Sequence, residues 1–128
     1  MIVVDASALV DAIMGWRSEA IRQRLRDAFI HVPVTIDAEL LHALRKHALL
    51  GVVGIEHSNA ALSLLGGTAL TRHAVQPFAP RIWSLRHNVT TYDAAYVALA
   101  ESLNIPLITR DARLSRSSGH AARIEYIA

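Results

Sequence analysis

The chain opens on Ile2-Val3-Val4, a β-branched run that ends at Asp5. An apolar run too short for a helix and without alternation predicts a strand buried on both faces. The same pattern recurs along the chain. Residues 29–34 read as a second strand, interrupted by Pro33. Residues 70–75 read as a short strand, 106–109 as another, and 124–127 as the last. Helical segments lie between them. Ser7 is expected to cap a helix that continues from Ala8 to Met14 and stops at Gly15. Ser18 caps a second, to about Ala28. Thr35 caps a third, where Leu40, Leu41 and Leu44 recur at helical spacing before Gly51. A helix over 55–65 is stopped by Gly66-Gly67, and one over 78–86 tolerates a proline near its start. Thr91 opens a helix whose Ala95, Leu99 and Leu103 share a face and which ends at Asn104. Asp111 begins a short helical turn. Strands alternating with helices predict an α/β sandwich around a mainly parallel sheet.

A length of 128 residues fits one domain with its own core, and 52% hydrophobic content excludes a disordered chain. The absence of cysteine excludes a disulfide framework, a thiol nucleophile and cysteine-ligated zinc. No secretory leader and no membrane span is expected, so the expected setting is the cytoplasm.

In an open α/β sheet, ligands bind beyond the carboxyl ends of the strands, where the winding reverses. Asp5 and Asp111 each follow a predicted strand, and Glu39 and Asp93 lie in the first turns of helices that begin at the same rim. Each acid also has a plain structural role: capping a helix for Asp5 and Asp111, answering the helix dipole for Glu39 and Asp93. Clustered, the carboxylates would repel one another strongly unless a hard divalent cation such as magnesium joined them. Such an ion activates a water and stabilises charge on a phosphoryl oxygen, which is the chemistry of phosphodiester hydrolysis. With those acids set apart, the other seven face 13 bases, so the remaining surface carries about +6, suited to a polyanion. Lys46 is the only lysine, and it stands mid-helix. That argues against phosphoacceptor domains, which place a lysine at the site. The histidines form no His-Glu-x-x-His pattern, and Ser117-Ser118-Gly119 lacks the setting of a nucleophile elbow.

The opening Ile-Val-Val-Asp5-Ala-Ser7 resembles that of the PIN-domain nucleases. Thr35-Ile-Asp-Ala-Glu39 resembles their second acidic motif, Thr91-Tyr92-Asp93-Ala-Ala-Tyr96 through Glu101 their third, and Pro106-Leu-Ile-Thr109-Arg110-Asp111 their fourth. The third is most similar to VapC-type toxins of toxin–antitoxin pairs. The resemblance implies one PIN domain over 1–128, with five short, mainly parallel strands flanked by helices on both faces. It implies an endoribonuclease dependent on magnesium or manganese that leaves 5′-phosphate and 3′-hydroxyl ends. Asp5, Asp93 and Asp111 then become metal ligands, and Glu39 a ligand or general base, with Asp37 as its rival. Ser7 and Thr109 become supporting hydroxyls. Arg86 and Arg110 become candidates for RNA phosphates, or else surface arginines that balance an acidic rim. Expected partners are the RNA substrate, a second copy in a homodimer, and a small antitoxin covering the site. Apolar surface at Trp16, Trp83 and the helix over 55–65 goes to such contacts in this family, although core packing is the default for each residue alone. A nuclease acting on DNA and a non-catalytic interaction module of the same fold are the alternatives.

Overall fold

A computed structural model describes residues 1–15 and 19–128. The strands β1 (Ile2–Val4), β2 (Ile30–Pro33), β3 (Leu70–His73), β4 (Leu107–Thr109) and β5 (Ile124–Tyr126) form one sheet. Their order is β3-β2-β1-β4-β5, and every neighbouring pair is parallel. The helices are α1 (Ala6–Met14), α2 (Glu19–Leu25), α3 (Ile36–Leu49), α4 (Ile55–Gly67), α5 (Ala79–Ser84), α6 (Thr91–Leu103) and α7 (Ala112–Ser115). From β1 the chain winds outward to β3, then crosses back to add β4 on the other side of β1. Right-handed crossovers therefore put α1 to α4 on one face and α5 to α7 on the other. The winding reverses between β1 and β4, at the sheet centre.

Both central strands are sealed. Val3, Val4, Leu107 and Ile108 expose nothing to solvent. Val3 lies opposite Leu107 and Val4 opposite Ile108, and the Asp5 amide donates to the Ile108 carbonyl at 3.1 Å. α6 is buried without interruption from Ala94 to Ala100. Its alanines give a thin helix that lies close to β1 and β2 while α5 covers its other side. Among the described residues no helix is long and apolar enough to cross a membrane.

Several expected helix ends move, each for a local reason. α1 begins at Ala6, so its cap is Asp5, which accepts from the Ala8 amide, and Ser7 is not the cap. Thr35 makes no capping bond; its hydroxyl goes to Glu39 instead. α6 by contrast begins at Thr91 and ends at Asn104 as expected, with Thr90 as its cap, accepting from the Asp93 amide at 3.2 Å. α4 runs through Gly66-Gly67 and is capped at Thr68, since neither glycine adopts positive φ and a helical glycine costs only about 1 kcal/mol. The segment expected as one helix over 78–86 is a 3₁₀ turn (Gln76–Phe78) followed by α5. Ser18 and Trp16 lie outside the described residues.

One clamp holds the far end of α6. Arg81 donates to both oxygens of Glu101 at 2.9 Å, and the Ala121 amide donates to Glu101 Oε2, also at 2.9 Å. α5, α6 and the loop before β5 are thereby tied at one carboxylate. The Arg81 guanidinium holds the Glu101 carboxyl below its ordinary range. The stability this supplies is present above the ordinary carboxylate pKa and fades as pH falls. Glu101→Gln should lower stability by about 2 kcal/mol at neutral pH, read as a reduced urea midpoint, because an amide cannot accept the paired bonds. An unchanged midpoint would show the clamp to be ornamental.

Candidate active site

Asp5 is buried at the end of β1, and its carboxylate collects donors from three directions. Ser7 Oγ donates to Oδ1 at 2.6 Å, the Ala8 amide to Oδ1 at 3.0 Å, and Thr109 Oγ1 to Oδ2 at 2.5 Å. Both hydroxyls have spent their protons on Asp5, so each is an acceptor toward the next strand. Ser7 Oγ takes the Arg110 amide at 3.0 Å, and Thr109 Oγ1 takes the Asp111 amide at 2.9 Å. The end of β1 is thus fastened to the turn after β4 through hydroxyls rather than ions. A carboxylate offers about four acceptor positions, so one lone pair on Oδ2 remains for a ligand. Burial pushes the Asp5 carboxyl up, the hydroxyls pull it down, and burial prevails.

Glu39 enters from the first turn of α3. Thr35 Oγ1, one turn before it, donates to Oε1 at 3.0 Å, and the Tyr96 hydroxyl donates to the same oxygen at 3.1 Å. Oε2 is left for the site. Tyr96 is a role that sequence reasoning missed. It is quoted inside the third motif, and it lies one turn after Asp93 on the same side of α6, a spacing that could have flagged it. Burial and the surrounding carboxylates push its hydroxyl far upward, so it serves as a donor and never as a base. Tyr96→Phe should cost about 1 kcal/mol of stability through the lost bond. Cleavage should fall by about tenfold, since a side chain misplaced by an ångström costs up to about a hundredfold. Wild-type turnover in this variant would show that Glu39 needs no such support. Asp37, the rival of Glu39, is turned away: Arg72 grips both of its oxygens at 2.7 Å.

Asp93, in the first turn of α6, makes no ion pair among the described residues, and the Thr90 hydroxyl is its hydrogen-bond support. Burial raises its carboxyl, and Asp111 raises it further. Asp111 caps α7; its Oδ1 accepts from the Arg113 amide at 2.8 Å and the Leu114 amide at 3.4 Å. The carboxylates feel one another in sequence: Asp5 senses Asp93, Glu39 senses Asp93 and Asp5, and Asp93 senses Asp111. Glu39 is also raised, chiefly by burial. The structure therefore brings all of these acids to one rim, at the reversal between β1 and β4.

Their donor set is oxygen only, and Asp93 makes no salt bridge among the described residues, which fits a hard divalent cation. Among the described residues no three acidic or histidine side chains stand close enough to enclose an ion directly.

Beyond Asp93 the rim opens into a groove of about 650 Å³, whose lining includes Arg86, His87, Asn88, Asp93, Arg113 and Arg116. Arg86 faces this groove, as a phosphate contact would. Arg110 does not line it: its guanidinium is committed to Asp11, in a pair where both side chains are mostly covered. Asp11 is thereby a fixed counter-charge. Trp83, for which core packing was expected, is 67% exposed.

The profile of the PIN domain matches residues 2–119. The chain belongs to the PIN-domain family. Ribonuclease VapC1 of Mycobacterium tuberculosis is 42% identical over 131 residues, covering 98% of this chain and 96% of that protein. PAE2754 from Pyrobaculum aerophilum superimposes with a TM-score of 0.69 at 26% identity, over 96% of this chain and 81% of that one. VapBC2 from Rickettsia felis, solved bound to a DNA fragment from its promoter, shares the fold, with a TM-score of 0.68 at 16% identity and 98% coverage of both chains. The five-stranded, mainly parallel sheet expected of a PIN domain is found here, with every neighbouring pair parallel.

Proposed function

We propose that this PIN domain is a metal-dependent endoribonuclease and the toxin of a toxin–antitoxin pair. The observation that carries the reading is the run of carboxylates at the sheet reversal, buried Asp5 with half-buried Glu39, Asp93 and Asp111, and an arginine-lined groove beside it. The ribonuclease name of its relative supports RNA as the substrate. Asp5, Asp93 and Asp111 would hold magnesium or manganese, directly or through water, and Glu39 would complete the site as ligand or general base. When bound, such an ion lowers the pKa of a water and neutralises charge growing on phosphoryl oxygen.

The chain's own groups do the rest. Ser7 and Thr109 keep Asp5 oriented. Tyr96 and Thr35 hold Glu39 by one oxygen, so that the other faces the site and can take a proton. Arg113 moderates the charge on Asp93 from the groove side. An antitoxin that covers the rim and a second copy of the chain are the proposed protein partners, in the cytoplasm.

The chemistry of the new ends tests this reading. Purified protein incubated with total RNA and magnesium should give products with 5′-phosphate and 3′-hydroxyl ends, detected by direct adaptor ligation to the 5′ end. Products that ligate only after phosphorylation, with cyclic phosphate at the other end, would mean attack by the ribose 2′-hydroxyl, and the carboxylate mechanism would fail.

A further inference from the structure

Asp5 and Asp111 both stand beyond the ends of very short strands. β1 and β4 have three residues each, and their backbone pairing reaches to the Asp5 amide on the Ile108 carbonyl. Past that point side chains hold the turn 109–111 against α1. Ser7 Oγ receives the Arg110 amide at 3.0 Å, and the Arg110 guanidinium reaches across to Asp11. Ser7 and Asp11 are four residues apart and share one face of α1. The helix therefore grips the turn at two points, about 6 Å apart along its axis. One point of attachment would let the turn pivot; two fix its direction.

This pair differs from the other ion pairs among the described residues. Its side chains are 17% and 19% exposed, whereas every other pair leaves at least one side chain 40% or more exposed. A covered pair is screened little by salt. Its desolvation offsets much of its attraction, so stability alone is a weak reason for it. What it secures is a direction, one residue before Asp111.

We infer that Asp11 and Arg110 are positioning residues, whose pairing ties the turn 109–111 to α1 and so sets the spacing of the Asp5 and Asp111 carboxylates. The inference rests on the metal-dependent reading above and adds to it two residues that touch neither ion nor substrate. Charge alone would act differently. Removing Asp11 would leave the rim more positive and weaken a cation there, while removing Arg110 would leave it more negative and strengthen one. A tie loosens in the same direction whichever end is cut.

Manganese titrated into the full chain without RNA, with the free ion followed by its electron paramagnetic resonance signal, tests the tie. Asp11→Ala and Arg110→Ala should each weaken manganese binding about tenfold, the lower end of the range for residues that orient metal ligands. The double variant should lose no more than either single one, because both cut the same link. Asp11→Asn keeps the volume and one acceptor, so it should fold even if alanine does not, with a smaller loss in the same direction. Arg110→Lys should recover part of the affinity, since it keeps the charge and loses the fork. Arg24→Ala is the control: it breaks the pair with Glu125, between α2 and β5, and should lower the thermal midpoint without changing manganese affinity. Opposite shifts in Asp11→Ala and Arg110→Ala would overturn the tie in favour of bare charge. Wild-type affinity in both, or an equal loss in Arg24→Ala, would overturn it while leaving the metal-dependent reading in place. Failure of the wild type itself to bind manganese would overturn both.

Discussion

Asp93→Asn should reduce RNA cleavage by about a hundred- to a thousandfold, the range for removing one element of a preorganised electrostatic site. The same change should leave the fold intact and raise the thermal midpoint of the metal-free protein. The two effects share one cause. Burial and Asp111 raise the Asp93 carboxyl, and no ion pair among the described residues compensates it, so its charge at neutral pH works against folding. Asparagine keeps the shape and deletes that charge. A carboxylate kept for structure behaves oppositely: its loss destabilises, as expected for Glu101 in its clamp. Cleavage at the wild-type rate by the Asn variant would reject Asp93 as part of the machinery. A lowered midpoint would reject the electrostatic account of why it is there.

The contrast between Asp93 and Glu101 also marks what the sequence could disclose. β1 is legible because a β-branched run of three residues has few other uses, and Asp5 and Asp111 are legible as site residues because each follows a short apolar strand. Their adjacency required the strand order. Only once β4 lies beside β1 do two residues more than a hundred positions apart share a rim. Side-chain partnerships were less legible. Ser7 was read as a cap, yet the cap is Asp5, because the helix starts two residues earlier than its hydrophobic spacing implied. Arg110 reads equally as a phosphate contact or as a surface arginine balancing the acidic rim, and its pairing with Asp11 on α1 is a tertiary contact that spacing cannot reveal. Tyr96 was hidden for the opposite reason. A tyrosine in a buried, alanine-rich helix looks like core, and only the neighbouring helix shows that its hydroxyl reaches Glu39.

Removing divalent cations should abolish cleavage, and restoring magnesium should recover it. The reason can be read separately in stability. Asp5, Glu39 and Asp93 all carry carboxyls raised above their ordinary values of 3.8 and 4.5. A raised group binds its proton more tightly in the folded state, so its contribution is complete below the ordinary value and is lost as pH climbs through the raised one. In EDTA, these groups should therefore make the protein less stable at neutral pH than in mild acid. A divalent cation requires the deprotonated forms, so its binding supplies the compensation where the protons have left. The rise in thermal midpoint on adding magnesium should then be negligible in acid and grow toward neutrality. At a hundredfold excess over its dissociation constant the ion contributes about 2.7 kcal/mol, several degrees for a domain of this size. Asp93→Asn should shrink that rise at every pH. Cleavage that persists undiminished in EDTA would break the link between these acids and the reaction. A magnesium effect of equal size in acid and at neutrality would show that the ion binds somewhere other than these carboxylates.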